Sequence, residues 1–503
     1  MKNLSVLFLL IIFLSVTTMI SAGNGPGNDS GVIKLKVDSD PTVSFRIWFK
    51  VGSQDDPKGK EGLAYIVSSL LSEGGTKTKT YSQILEEMVP LAASYSANLA
   101  TEMTIYSGRV HKDNLKDYMP YFTEQILNPG FREEDFNRAV SDAINYLSTT
   151  LRYSSDEELG KAVLYNSVFA GTEYQNTLYG TISGLKNITL ADAEAFYKKY
   201  FNRNNFVLGI GGGFDESLVN ELMAELKKLP EGVENTKKPG KPAPVEGLNV
   251  TIVEKNANAT AISMGFPINL KRGKREWYAL AIANSWLGEH RNSSSHLYQV
   301  IREERGLNYG DYSYIEHFPN GGRLSMPPVN VARNNQMFEI WIRPVPNETR
   351  HFALRAALRE LTMLVDNGMS KEEFELTKGF LKKYVLHYAP TVSARLGYAI
   401  DDRFYGINGS HLEKFRKMMD EITLDEVNAA IKKHLQYKNM QIAIITDNAQ
   451  ALKDALVNDS PSPITYSTPK SEEILKEDKI IEVFPVKIRP EKIRIFKTEE
   501  LFN

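Results

Sequence analysis

Histidine, cysteine and the carboxylic acids are the side chains that most often bind metals and move protons. This chain has eight histidines and no cysteine. The absence of cysteine excludes thiol nucleophiles, disulfides and cysteine-ligated zinc, and it suits an oxidising compartment. No two histidines are four residues apart, the spacing that would set two imidazoles on one side of a helix. Glu289-His290 and His296 bring three potential ligands close in sequence, but the polar run 291–295 separates them. Gly211-Gly212-Gly213 follows an apolar, strand-like run and lacks the Lys-Ser/Thr of a phosphate loop, so it reads as a turn. Gly-x-Ser-x-Gly does not occur. Lys and Arg number 60 against 62 Asp and Glu; this balance lacks the basic footprint that nucleic acid requires.

The elements that would position such residues repeat. Residues 188–210 (ITLADAEAFYKKYFNRNNFVLGI) align without a gap on residues 422–444 (ITLDEVNAAIKKHLQYKNMQIAI). Each copy has a Thr, at 189 and 423, with Asp192 or Glu426 three residues later. That is a capping box opening a helix, and each helix runs into a short apolar strand after Asn205 or Asn439. A repeat at about half the chain length implies tandem domains rather than a solenoid. Residues 230–247, rich in Pro, Gly and charge, read as the linker between domains at 33–229 and 248–447. The tail, 448–503, contains alternating segments (ITYSTP and KIIEVFPVKIRPEKIRIF) that predict short strands. Elsewhere, 44–50 alternates like a strand, 62–72 and 81–88 are helical in pattern, 95–110 returns to alternation, and 133–152 and 156–169 read as helices. Mixed strands and helices with hairpin-like neighbours predict an α+β fold. Residues 1–22 (MKNLSVLFLLIIFLSVTTMISA) have the form of a secretory signal peptide. The expectation is export to the periplasm or beyond, with no stable membrane span after cleavage.

Residues 51–76 read VGSQDDPKGKEGLAYIVSSLLSEGGT. The segment resembles the opening signature of the pitrilysin/insulinase family of zinc peptidases, of the two-domain mitochondrial-processing-peptidase type. In that family a Gly-Ser strand end and an acidic loop lead into a Gly-led helix carrying His-x-x-Glu-His, and then a Gly-Thr turn. Gly52, Ser53, Asp56, Pro57, Gly62, Leu63, Gly75 and Thr76 keep the frame, while Tyr65, Ser68 and Ser69 stand at the three chemical positions. A hydrolytic zinc site needs imidazole ligands and a carboxylate base. Tyrosine and serine do not replace them, so no metal is expected on this chain. Glu157 or Glu158 falls at the family's third ligand, and two solvated acids in a first helical turn are the expectation for them. The resemblance covers nearly all of the chain after residue 30 and includes Asn128-Pro129, Phe169-Ala170-Gly171, Asn367-Gly368 with Ser370, and Phe404-Tyr405-Gly406. It implies two similar domains, each a mostly antiparallel sheet with helices over one face, together forming half of a clam shell.

Within residues 293–309 (SSSHLYQVIREERGLNY) an Arg and a Tyr seven residues apart, Arg302 and Tyr309, match the family's pair that reaches toward the peptide at the zinc. Arg305 does not match the spacing. On the residues alone, Arg302 is an exposed cation beside Glu303 and Glu304, and Tyr309 a packed aromatic. The resemblance makes them substrate-binding: a guanidinium can hold a carbonyl and a phenol can donate to a developing oxyanion. The segment 94–106 matches the sheet edge on which the family pairs extended substrate. These expectations describe the non-zinc, substrate-binding subunit of a heteromeric peptidase acting on peptides or unfolded proteins. Zinc would be supplied by a homologous partner, and the chain would be inactive alone. The alternative is a structural scaffold member of the same family.

Overall fold

The computed structural model describes residues 31–319 and 324–503; the expected leader lies outside them. Among the described residues, eleven strands form two sheets. Val32–Lys36 (β1), Thr42–Phe49 (β2), Ser94–Leu99 (β3), Thr104–His111 (β4) and Phe206–Gly212 (β5) make the first, in the order β1-β5-β2-β4-β3. Leu248–Glu254 (β6), Ala259–Ile268 (β7), Asp311–Tyr314 (β8), Gln336–Pro346 (β9), Met440–Thr446 (β10) and Ile493–Lys497 (β11) make the second, in the order β11-β6-β10-β7-β9-β8. Only β1–β5, β6–β10 and β6–β11 are parallel pairs. Both sheets are therefore mostly antiparallel, and the fold is α+β with two similar halves.

The repeat occupies equivalent places in the two sheets. Thr189 and Thr423 each cap a helix, Leu190–Tyr200 and Leu424–His434, through the reciprocal bonds of a capping box. The helices deliver β5 between β1 and β2, and β10 between β6 and β7.

Each half covers one face of its sheet with its own helices and the other face with a helix from the opposite half. Helix Asp156–Val168 packs on β7 and β10. Helix Val392–Tyr405 packs on β1, β2 and β5, where Leu396 and Ile400 join Trp48, Ile105 and Val207 in one apolar cluster. Glycine permits this close approach: a Cβ at Gly209 or Gly211 of β5 would meet Leu396 and Ile400 or Val392 at 3.0–3.3 Å.

Residues 230–247 form no regular element but are tied down. Asn235 donates to Asp55, Gly240 to Glu173, and Asn335 to the Gly240 carbonyl. The tail departs from the strands expected of it. Ala449–Asn458 and Glu472–Ile481 are helices, and only Ile493–Lys497 is a strand. Residues 464–469 form no regular element, and 479–496 begins in the end of the helix that Ser471 caps and reaches a strand only at Ile493.

Candidate functional site

The degenerate helix Leu63–Glu73 begins at Gly62, whose φ of 109° belongs to the left-handed region. Its free N–H groups meet Asp56, which accepts from Gly62 N and Ala64 N, both at 2.7 Å. The acidic loop of the sequence frame is thus the cap of this helix. One turn in, the Tyr65 ring lies 4.3 Å from Tyr179, which stacks on Tyr146 at 3.8 Å. Burial raises all three phenols, so the stack is uncharged at neutral pH.

Ser68 and Ser72, one turn further along the helix, turn to the edge strand β3. Ser68 Oγ donates to the Ala97 carbonyl at 2.9 Å, and Ser72 Oγ accepts from Ala97 N at 2.6 Å. Ala97 lies on the outermost strand of its sheet, so its outward backbone groups are those an added strand would use. The edge position expected of 94–106 is present for β3, and at its centre the protein's own serines already satisfy it. Ser69 is half-buried.

Glu157 and Glu158 are not the solvated acids expected. Lys161 bridges them, at 2.8 and 2.7 Å, and Arg343 Nε donates to Glu157 at 3.1 Å. The Lys161 side chain is only 5% exposed and its ammonium lies 3.9 Å from the Trp341 ring centre, a cation–π contact. Burial alone would raise the Glu157 carboxyl, but Lys161 and Arg343 outweigh it and hold it below the usual range. The spacing was a usable signal: i, i+3 and i, i+4 pairs of Glu and Lys meet on a helix surface.

These residues do not fit zinc. Tyr65 is stacked, Ser68 is committed to a backbone carbonyl, and the surviving carboxylate is bound to an ammonium and a guanidinium. Among the described residues, no three metal-binding side chains converge. His290 bonds Tyr314 and the Leu324 carbonyl, while His296 pairs with Glu360, so the Glu289/His290/His296 group does not gather.

Arg302 lies in a π-helical turn, Tyr298–Glu303. Its guanidinium sits 4.6 Å from the Tyr298 ring centre and donates to Glu303 at 2.8 Å. Tyr309 stands 76% exposed, which differs from the packed aromatic its residue type alone suggests. Its neighbours are anchored. Leu307 and Asn308 are buried, and Asn308 donates to Asp311 and the Arg343 carbonyl while accepting from Gly310 N. Arg302 thus contacts Glu303 and Tyr298 and, among the described residues, makes no bond to Tyr309. Arg305 is a different kind of residue. Its guanidinium is buried and held by Asp478 at 2.9 Å and Glu477 at 2.7 Å, both on the tail helix Glu472–Ile481. The tail thereby braces the segment that carries Arg302 and Tyr309.

Comparison with known proteins agrees with this arrangement. The profile described as "Insulinase (Peptidase family M16)" matches residues 32–182, and that described as "Peptidase M16 inactive domain" matches residues 187–381. An "Uncharacterized zinc protease" of Rickettsia bellii is 25% identical over 64% of this chain and 75% of its own length. The "Non-peptidase homolog YmxG" of Helicobacter pylori is 22% identical over 81% of this chain and 89% of its own. Among solved structures, a peptidase M16 inactive domain from Pseudomonas fluorescens superposes with a TM-score of 0.73, at 21% identity, covering 83% of this chain and 95% of that one. With both profiles in tandem over residues 32–381, the chain belongs to the M16, or insulinase, peptidase family.

Proposed function

We propose that the chain is the non-zinc, substrate-binding subunit of an exported heteromeric M16 peptidase. In this reading the metal that activates water lies on a homologous partner. The observation that carries the proposal is Tyr309, a phenol held in solvent by a loop whose neighbouring residues are buried and hydrogen-bonded. Such a loop restricts where the phenol can move, and a pre-positioned donor is what stabilises charge developing on a scissile carbonyl. Arg302, on the preceding turn, would hold a peptide carbonyl. The substrate would be a peptide or unfolded protein in extended form. Because β3 is already satisfied at Ala97, main-chain pairing would fall to the partner's edge.

The test is reconstitution with a homologue that retains His-x-x-Glu-His. Activity is expected in the mixture and not in this chain alone. Tyr309→Phe should lower kcat about 100- to 1,000-fold while leaving assembly intact by gel filtration. Zinc-dependent proteolysis by the isolated chain that survives Arg302→Ala would overturn the proposal. The Helicobacter pylori relative bears the name of a non-peptidase, which favours a scaffold role as the second reading. Mixture activity indifferent to both Arg302→Ala and Tyr309→Phe would support that reading instead.

A further inference from the structure

The second half contains a cavity of about 80 Å³ that none of the chemistry above uses. Helix Arg275–Gly288 supplies Trp277 and Asn284 to its wall, and Glu289 follows directly. Tyr398 comes from helix Val392–Tyr405, Phe415 from helix His411–Glu421, and Tyr388 from the turn after helix Lys371–Tyr384. One water needs roughly 10–15 Å³ on this measure, so the space suits a compound of about six non-hydrogen atoms.

Among the described residues, four polar atoms of the lining have no hydrogen-bond partner: Arg272 Nη1, Trp277 Nε1, Asn284 Oδ1 and the Tyr398 hydroxyl. Trp277 and Tyr398 are 5% and 2% exposed. Unpaired polar atoms this deep are costly in a protein interior.

The charges of the lining leave one group over. Arg272 is paired with Glu316 through Nε and Nη2 at 2.6–3.0 Å, and its Nη1, which makes no hydrogen bond, lies 3.7 Å from Asp401. Burial lowers the pKa of His290, His317 and His411, so these rings are neutral at pH 7. Glu289 has no ion-pair partner among the described residues, and burial raises its carboxyl to about 7. A carboxyl group without an ion-pair partner among the described residues, in a cavity also lined by Trp277, Tyr388 and Phe415, is the environment that binds an organic cation.

We propose that this cavity is a binding site for a small organic ammonium that also carries a hydrogen-bond acceptor, an amino alcohol being the simplest example. The ammonium would donate to Glu289 and Asn284 Oδ1. An indole N–H can only donate, and so can an ammonium; Trp277 therefore requires an acceptor elsewhere on the same ligand, such as a hydroxyl oxygen. The proposal is independent of the Arg302 and Tyr309 reading.

The chain has four tryptophans, so the Trp277 indole N–H resonance can be assigned by its loss in Trp277→Phe. Aminobutanol at millimolar concentration should shift that resonance saturably in the full chain. Butanediol, its neutral counterpart of the same size, should bind roughly tenfold more weakly or worse, as expected for loss of a charge-assisted contact. Glu289→Gln should remove the preference. Equal response to the two compounds, or no response to aminobutanol, would overturn the proposal. The comparison of the two compounds uses the unaltered protein, so it stands even if a variant folds poorly.

Discussion

At Lys161 an ammonium faces two acids of the same helix, Glu157 and Glu158. Its aliphatic stem is buried, its charge is shared by Glu157 and Glu158, and its far side rests on Trp341. Lys161→Met would leave two half-buried carboxylates with Arg343 as their remaining cation. Unfolding in urea should show a loss of about 3 kcal/mol. Adding Glu157→Gln should recover part of it, the sign of coupling in a double-mutant cycle. A second residue-scale expectation concerns Glu339, which accepts from Trp341 Nε1 at 2.7 Å. Burial raises its carboxyl to about 7, with smaller opposing contributions from that bond and from Arg333 and Lys161. The folded state thus keeps a proton that the unfolded chain releases near pH 4.5, so this group's contribution to stability falls as pH rises from there to 7. Glu339→Gln removes the dependence. Relative to the unaltered protein, the variant should gain on the order of 2 kcal/mol between pH 5 and pH 8, read from unfolding midpoints at each pH.

At the scale of elements, the helix Leu63–Glu73 is fixed at its start by Asp56 and along its length by two serines bonded to β3. Asp56→Ala should cost about 1–2 kcal/mol through loss of the cap, measured by thermal unfolding. Ser72→Ala should speed hydrogen exchange at the Ala97 amide, because that N–H has Ser72 Oγ as its acceptor, while the β3–β4 ladder stays protected. Much of this element was legible in sequence: Gly62 marked the start, Asp56 sat in the frame, and the Thr189 and Thr423 boxes located two further helices with their strands. The serine contacts were not legible. They join positions 25 and 29 residues apart, and no local pattern encodes which backbone group a serine will find. Tyr309 shows the same limit from the other side. Its residue type suggests packing, and its exposure follows from Asn308 and Leu307 taking the buried places beside it. The tail misled because short alternation, as in 464–469 and 479–496, is weak evidence for a strand without a sheet partner.

At the scale of the whole molecule, the exchanged helices decide how the two halves behave. Gly160 of helix Asp156–Val168 faces Ser263 and Ile445 of the second sheet, where a Cβ would stand 3.5 Å from each. Alanine would fit there. Gly160→Leu would overpack the contact and should cost about 1–3 kcal/mol. Since each sheet needs the other half's helix, calorimetry should record one unfolding transition with equal calorimetric and van't Hoff enthalpies. Sequence repetition revealed two copies, yet it could not reveal this exchange. The residues concerned, such as Leu396 and Val207, meet across nearly 200 positions and look like ordinary core residues wherever they are read. The same arrangement has a consequence for the peptide chain itself. Lys237 and Lys238 are exposed in the segment between the halves, so a protease can nick the backbone there. Neither fragment could then diffuse away without stripping a helix from a sheet. Such a nicked molecule would run as two bands in denaturing gels and elute as one particle in native buffer. The expected outcome is that covalent continuity between the halves is dispensable once folding is complete.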